Sequence, residues 1–214
     1  MILFTQYFSA DENRQEEIDL CLQTNLENPI IGKVCLLTEQ HMTINNQKIE
    51  QIVIGERIKY KHAFDIAKDF AGEICILSNS DIYFDHTLNL LTPDFMKGKF
   101  LALSRWDETP DAYVIRANAR CSQDSWIFLP PLPEMFADIQ MGYPGCDNRM
   151  AYEANKAGLK VLNPSLEIIS RHVHNTPRHY SEADRIHGGY LEVSASICFG
   201  TESPPRVIPK QQPS

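Results

Sequence analysis

Short, largely apolar runs alternate with amphipathic segments along the first half of the chain. Runs of this length are typical of strands that are buried on both faces of a parallel sheet. The runs that predict such strands are Met1–Tyr7, Lys33–Thr38, Gln51–Ile54 and Ile74–Leu77. Helices are predicted between them at Asp11–Leu26, with acids in its first turn, and at Tyr60–Phe70. This alternation predicts an α/β fold, a single domain with a mostly parallel central sheet flanked by helices.

The second half of the chain is less regular. A short helix is predicted at Asn148–Ala157, with Gly158 as its C-cap. After Gly200 the sequence TESPPRVIPKQQPS is typical of a linker or a disordered tail. We therefore expect one domain over residues 1–200 and a tail over residues 201–214. Further strands are predicted at Phe100–Leu103, Tyr113–Arg116, Ser125–Phe128, Lys160–Leu162 and Glu167–Ser170.

Composition and charge narrow the functional classes. The 214 residues, 43% of them hydrophobic and 22% charged, are enough for one sizeable globular core. The formal net charge of −8 argues against broad nucleic-acid binding, although a bound metal could still attract an anionic substrate. No apolar run approaches the roughly 18 residues that span a bilayer, and the N-terminus does not resemble a signal peptide. The six cysteines form no CxxC pair, which favours reduced thiols and a cytoplasmic location.

The most informative motif is the end of a predicted strand, AGEICILSNSDIYFD at residues 71–85. Ligands of open α/β sheets bind just beyond the carboxyl ends of the strands. Asn79 and Asp81 are therefore expected at the rim of a cleft, two positions apart and on the same side. Their oxygen atoms suit a hard divalent cation and, through it, a diphosphate. The alternative is a strand followed by an Asx turn that binds no ligand.

Two further polar motifs follow in order along the chain. Asp147 stands at the start of a predicted helix, where the helix dipole would stabilise its anion, as a general base requires. A plain helix N-cap is the alternative for this residue. His172 and His174 alternate along an extended segment, so at most one is expected to face the cleft as a metal ligand. A surface histidine is the alternative for either of them.

In their order, the motifs SNSD, GCDNRMAYEANKAGLKVLNPS and RHVH resemble those of GT-A-fold glycosyltransferases, most closely the family-2 type of catalytic domain. In that family a strand ends in a DxD metal motif, an acid at a helix start follows, and a histidine completes the metal site. The resemblance covers about residues 1–174, and it implies a nucleotide-binding half to about residue 105 and an acceptor half over residues 106–200. A narrower resemblance is to N-terminal domains of multidomain glycosyltransferases from chlorella viruses.

The resemblance implies a hexosyltransferase that moves a sugar from a nucleoside-diphosphate sugar, a UDP-sugar first of all, to a hydroxyl of a glycan acceptor. Asp81 would be the principal ligand of Mn²⁺ or Mg²⁺, and His172 or His174 would complete the metal site. Asn79 departs from the DxD pattern and would bind ribose or a metal-bound water instead. Asp147 would be the catalytic base of an inverting transfer.

Weaker candidates surround these residues. Asp124 and Trp126 are expected on the same side of an extended stretch, as an acid and an aromatic ring that suit a sugar or acceptor. The polar loop Arg178–Tyr180 would close over the diphosphate. For each candidate the alternative is a core or an exposed residue. The residues expected near the nucleotide or donor are Thr5, Tyr7, Arg57, Ser80 and Arg105.

Two other functional classes are alternatives to a transferase. An aspartyl-nucleophile phosphatase is disfavoured because Asp81 and Asp85 are four positions apart instead of two. A non-catalytic domain of the same fold that binds a nucleotide-sugar or a glycan is favoured by the substitution at Asn79. For the transferase, the expected partners are the sugar donor, the glycan acceptor and further domains of a longer protein.

Overall fold

The computed structural model of the protein describes residues 1–173, 181–200 and 207–210. Its α-helices are α1 (Glu12–Glu27), α2 (Tyr60–Ala67), α3 (Pro93–Met96) and α4 (Cys146–Lys156). Short 3₁₀ helices lie at Lys68–Phe70, His86–Leu90, Ala119–Cys121 and Glu182–Asp184. The strands are β1 (Ile2–Gln6), β2 (Lys33–Thr38), β3 (Ile49–Val53), β4 (Cys75–Ser78), β5 (Ile82–Phe84), β6 (Lys99–Leu103), β7 (Trp106–Glu108), β8 (Ala112–Ile115), β9 (Ser125–Phe128), β10 (Lys160–Leu162), β11 (Ser170–His172) and β12 (Val207–Pro209).

A seven-stranded sheet forms the centre of the protein, in the order β10-β6-β9-β4-β1-β2-β3. Strands β4, β1, β2 and β3 are parallel neighbours, and β10 is parallel to β6. Strand β9 is antiparallel to both β4 and β6. The predicted α/β fold with a mostly parallel central sheet is therefore confirmed.

Both faces of this sheet are covered, which explains why its strands are almost continuously apolar. Phe4 points to one face and joins a core cluster with residues of α2 and α4, among them Phe64 and Met150. Its neighbour Leu3 points to the other face, in a cluster with Leu22 of α1. The alternation of adjacent residues between two cores follows from the strand period of two.

A second sheet of five short strands, in the order β12-β8-β7-β11-β5, packs beside the first. Strands β5 and β7 have three residues each, too few to give a hydrophobic period in the sequence. Strand β12 lies within the segment predicted to be a tail, and it pairs with β8 in an antiparallel register. A strand formed by distant pairing leaves little local signal. The division into a domain over residues 1–200 and a tail over residues 201–214 stays a prediction.

The structure bears on two expectations from the sequence, one about the cysteines and one about membrane-spanning segments. All six cysteines are free thiols. In the described part of the chain, no helix is long and apolar enough to cross a membrane. The cytoplasmic location stays a prediction.

Candidate active site

Three strand ends meet at one edge of the central sheet. Strand β9 begins at Ser125, which is paired with the last residue of β4 and with the last residue of β6. Because β9 runs antiparallel to both neighbours, the residue that precedes it lies beside the residues that follow them. The register thereby brings together Asn79, Arg105 and Asp124, three of the residues predicted to be functional.

Hydrogen bonds fix these three side chains in place. Asn79 Nδ2 donates to Asp124 Oδ1 at 2.9 Å, and the Asn79 backbone N–H donates to the Asp124 carbonyl at 3.0 Å. Arg105 Nη1 donates to both carboxylate oxygens of Asp124, at 3.1 and 3.2 Å, while its Nε donates to Asp107 at 2.8 Å. Such charge-assisted bonds hold a guanidinium and a carboxylate in one geometry.

A cleft of about 570 Å³ opens at this edge, between the strand ends and the N-terminus of α4. Its wall carries two carboxylates, three guanidinium groups, several amides and the glycine-rich turn before α4. The cleft is lined by Asn79, Arg105, Arg116, Asn118, residues 121–124, residues 142–148 and Arg185. Polar groups that converge on one concave site are typical of a binding site for a polar ligand.

Asp147 is the second residue of α4 and lies on the cleft wall, partly exposed. The helix begins after Gly145, whose φ of 81° is left-handed and whose added Cβ would lie 3.1 Å from the Tyr190 hydroxyl. Glycine is therefore suited to this turn in both conformation and space. Asp147 Oδ2 accepts a hydrogen bond from the backbone N–H of Gln123 at 3.1 Å, which ties the acid to the segment before β9.

Burial raises the pKa of Asp147 from 3.8 to about 6, although backbone N–H groups of Asn148 and Gln123 lower it in part. The nearby carboxylate of Asp124 also raises this pKa. Desolvation of the carboxylate therefore outweighs the backbone N–H groups at the helix start, which favour the anion as expected from the sequence. A carboxylate with a pKa near 6 is mostly ionised at pH 7 and is a stronger base than an ordinary aspartate.

Asp81 is placed differently from Asn79. The chain turns at Ser80 and Asp81, between β4 and β5, so the alternation that put Asn79 and Asp81 on one side ends at the strand. The Asp81 side chain is buried, and its Oδ2 accepts from Arg14 Nη1 at 3.1 Å and from His172 Nε2 at 3.0 Å. Ser80, predicted near the donor, accepts from Arg14 Nη2 at 3.3 Å instead.

His172 bridges two carboxylates. Its Nε2 contacts Asp81, and its Nδ1 lies 3.1 Å from Asp107 Oδ1. Burial lowers the pKa of His172, but the hydrogen bonds to Asp107 and Asp81 raise it more, so the pKa is above its usual value. Burial likewise opposes ionisation of Asp107, yet bonds from His172 and Arg105 hold its pKa well below its usual range. The raised pKa favours the imidazolium form of His172, in which both ring nitrogens donate to carboxylates.

As the structure places them, Asp81 and His172 are not open to a divalent cation, because each is bonded to other side chains. Asp81 Oδ2 accepts from an arginine and a histidine, and both ring nitrogens of His172 lie within hydrogen-bond distance of a carboxylate oxygen. Over the ranges that the structure describes, no group of three His, Cys, Asp or Glu side chains is placed to hold a metal ion. The structure brings Asp81 and His172 together as an ion pair. His174 and the loop Arg178–Tyr180 lie outside the described residues.

The remaining residues predicted to lie near the nucleotide-sugar, Thr5, Tyr7 and Arg57, do not line the cleft. Thr5 is buried at the end of β1, with its hydroxyl 3.5 Å from the Asn79 carbonyl. Tyr7 donates its hydroxyl to Asp19 of α1 at 2.6 Å. Arg57 is exposed and lies 5.7 Å from the ring of Tyr143, a lining residue, so it reaches only the mouth of the cleft.

Trp126 belongs to the core. Its side chain is 1% exposed and packs edge-on against Tyr60, with ring centroids 4.7 Å apart. The ring presents no face to the cleft, which corrects the expectation of an aromatic platform for a sugar. Asp124, which was predicted with it, does line the cleft because it precedes the strand.

Several site residues were missed by the sequence analysis. Arg116 ends a predicted strand and Gln123 precedes another, so the strand-end rule that selected Asn79 could have found both. Arg14 could not be found in this way, since its partner Asp81 is distant in sequence. Asp107 follows a predicted strand and was expected from the sequence near the sugar, whereas the structure bonds it to Arg105 and His172. Arg185 lies in a segment without a regular pattern.

Comparisons with known proteins agree with this architecture. No protein-family model matches the chain, and no curated protein matches it. TarS from S. aureus, solved in complex with UDP-GlcNAc, has 12% sequence identity and a TM-score of 0.51, over 83% of this chain and 59% of that one. Mannosyltransferase PcManGT from Pyrobaculum calidifontis, in complex with GDP-Man and Mn²⁺, has 14% identity and a TM-score of 0.48, over 76% and 54%.

At such low identity the likeness concerns the fold, which is GT-A-like, as predicted. The chain spans little more than half the length of each of these two chains. Neither comparison supports the narrower resemblance to chlorella virus domains.

Proposed function

We propose that the protein is a glycosyltransferase that binds a nucleoside-diphosphate sugar in the cleft beside Asp147. The observation that carries this proposal is the position of Asp147. It is a partly exposed acid with a pKa near 6, at the start of a helix, on the wall of a polar cleft at the edge of a GT-A-like sheet. Acids with perturbed pKa values in clefts are typical of catalytic sites.

The cleft wall suits both parts of such a donor. Arg105 and Arg116 place guanidinium groups at the cleft. A guanidinium group binds phosphate oxygens through paired N–H donors, so these two residues suit the diphosphate. Asp124 and Asn118 offer oxygen and nitrogen atoms to sugar or acceptor hydroxyls. Because TarS was solved with UDP-GlcNAc, UDP-sugars are the first donors to test.

In the proposed reaction Asp147 is the base of an inverting transfer. Its carboxylate takes the proton of an acceptor hydroxyl while the hydroxyl oxygen forms a bond to the anomeric carbon. The bond from that carbon to the diphosphate oxygen breaks on the opposite face, and the electron pair leaves with the nucleoside diphosphate. Asp147 ends protonated, and its raised pKa favours this transfer. We assign no step to the predicted Mn²⁺ or Mg²⁺, because Asp81 and His172 are bonded to other groups.

A non-catalytic domain that binds a nucleotide-sugar or a glycan is the second candidate. Two observations favour it: Asn79 replaces an acid of the family motif, and Asp81 is buried away from the cleft. A binding protein with this wall would hold the same donor without turning it over.

Donor turnover by wild-type protein separates the two candidates. We expect release of nucleoside diphosphate from one member of a UDP-sugar panel with glycan acceptors, with inversion at the anomeric carbon seen by proton NMR. Replacing Asp147 by Asn should lower the transfer rate by about 10²- to 10⁴-fold, the usual range for loss of a general base, with donor affinity retained.

Asp111→Asn, at an exposed acid outside the cleft, is the matched control and should transfer at the wild-type rate. Donor binding without turnover in the wild-type protein would favour the non-catalytic domain. Full activity of Asp147→Asn would contradict the assigned base.

A further inference from the structure

A chain of ion pairs occupies the region in which the sequence predicts a metal. Arg14 bonds Asp81, Asp81 bonds His172, His172 bonds Asp107, and Asp107 bonds Arg105 at the cleft wall. We call these five residues the buried ion network. The side chains of Asp81 and His172 are each 1% exposed, those of Arg14 and Arg105 are 13% and 12% exposed, and that of Asp107, at the cleft end, is 33% exposed.

Cations and carboxylates alternate along the buried ion network. Both of its carboxylates contact two cationic groups of the network, and His172 donates to both of them. Arg14 also pairs with Glu17 at 2.6 Å, and Arg105 also pairs with Asp124. A divalent cation at Asp81 would have to displace a guanidinium and an imidazole ring that already contact this carboxylate. It would also bring further positive charge against Arg14 and His172, which keep Glu17 and Asp107 as acceptors.

The cleft wall itself supplies positive charge without a metal. Arg105 donates from Nε to Asp107 and from Nη1 to Asp124, and its Nη2 takes part in neither of these two bonds. Arg116, with 42% of its side chain exposed, makes a 3.3 Å contact to Asp107 through Nη1. Arg185 lines the same cleft. Three guanidinium groups around one cleft suit a ligand with more than one anionic oxygen.

We propose that this cleft binds the diphosphate of its nucleotide ligand without a divalent cation. Arg105 and Arg116 contact the phosphate oxygens, and the buried ion network takes the place of the predicted metal and holds Arg105 in position. The inference rests on the proposed function, since it assumes a nucleoside-diphosphate ligand, and it departs from the metal dependence that the sequence resemblance implies.

Calorimetric titration tests this inference directly. UDP, with GDP as a second probe, is titrated into wild-type protein in EDTA and again with Mn²⁺. We expect dissociation constants that agree within about threefold, since no metal–protein bond is broken by the chelator. Mn²⁺ alone, followed by the electron paramagnetic resonance signal of the free ion, should show no site on the protein.

Binding that weakens more than tenfold in EDTA, or one bound Mn²⁺ per chain that Asp81→Asn removes, overturns the inference and leaves the proposed function standing. Absence of binding of both nucleotides, with and without Mn²⁺, overturns the proposed function together with the inference.

A pair of arginine variants tests the role of the guanidinium groups. Arg116→Ala should weaken UDP binding in EDTA by about tenfold, as expected for loss of a charge-assisted hydrogen bond. Arg120→Ala is the matched control, because Arg120 is 64% exposed, pairs with Glu192 and does not line the cleft. It should stay within about twofold of wild type. Equal affinities of the two variants would overturn the assignment of Arg116.

Discussion

Asp81 and Asp147 are two acids that the sequence suggested as parts of one site, yet the structure gives them opposite surroundings. Asp81 is fully buried and bonded to Arg14 and His172. Asp147 is partly exposed in the cleft, and its side chain accepts a hydrogen bond from the backbone N–H of Gln123. The comparison teaches that a buried acid bonded to cationic side chains is structural, whereas an acid whose pKa is raised by desolvation at a cleft wall can serve as a base.

The largest expected effect concerns the buried acid. Replacing Asp81 by Ala leaves Arg14 and His172 without this acceptor inside the protein, so we expect a loss of about 3–5 kcal/mol in the free energy of unfolding. Urea denaturation followed by circular dichroism measures it. Asp94→Ala, at an acid with 88% of its side chain exposed, should change the stability by less than about 0.5 kcal/mol. Equal, small losses in both variants would remove the contrast between the two acids.

The second effect concerns the acid in the cleft. A general base with a pKa near 6 is active in its ionised form, so transfer should fall by about tenfold between pH 7 and pH 5. An aspartate at its ordinary pKa would lose almost nothing over that range. The pH profile of kcat/KM, taken with donor and acceptor fixed, measures this. A flat profile down to pH 5 would contradict the raised pKa of Asp147.

The smallest expected effect is a gain in the free energy of unfolding when Asp147 is replaced by Asn. The pKa of Asp147 is higher in the folded protein than in the unfolded chain, so the folded state binds the proton more tightly between about pH 4 and pH 6. Stability contributed by this group is present below pH 4 and is lost as the pH rises through 6. Asp147→Asn should therefore raise the free energy of unfolding at pH 7, by up to about 1 kcal/mol after allowance for its partial exposure.

Thermal unfolding at pH 7 and at pH 4 checks this prediction. The gain in Tm of Asp147→Asn over wild type should be present at pH 7 and absent at pH 4. A variant that is less stable than wild type at pH 7 would indicate that the carboxylate is needed for folding, like that of Asp81.

Local sequence patterns were sufficient to predict most strands of the central sheet but not those of the second sheet. Strands β2 and β9 match their predicted bounds, because a buried strand between polar turns leaves a clear apolar run. Strands β5 and β7 were missed, since three residues carry no period. The helix predicted at Asn148–Ala157 is present, and it begins two residues earlier than expected, at Cys146.

The site could be predicted where a strand-end rule applied and, for Asp147, from its place at a helix start. Asn79, Arg105 and Asp124 follow or precede strands, and they meet at one sheet edge. The burial of Asp81 depends on Arg14, which lies 67 positions earlier in the chain, so no local pattern contains it. Trp126 shows a further limit, because a period of two predicts that side chains alternate but does not predict that a given face is covered by the core.

The most direct test of the account is to locate the nucleotide on the protein. In ¹H–¹⁵N correlation spectra, titration with UDP-GlcNAc or UDP should shift the amides of Gln123 and Asn148 at the cleft. The amides of Phe136 and Ala137, which line a separate surface groove of about 470 Å³, serve as the internal reference and should stay unchanged. Shifts confined to that groove, or no shifts at saturating ligand, would contradict the claim that the cleft beside Asp147 is the donor site.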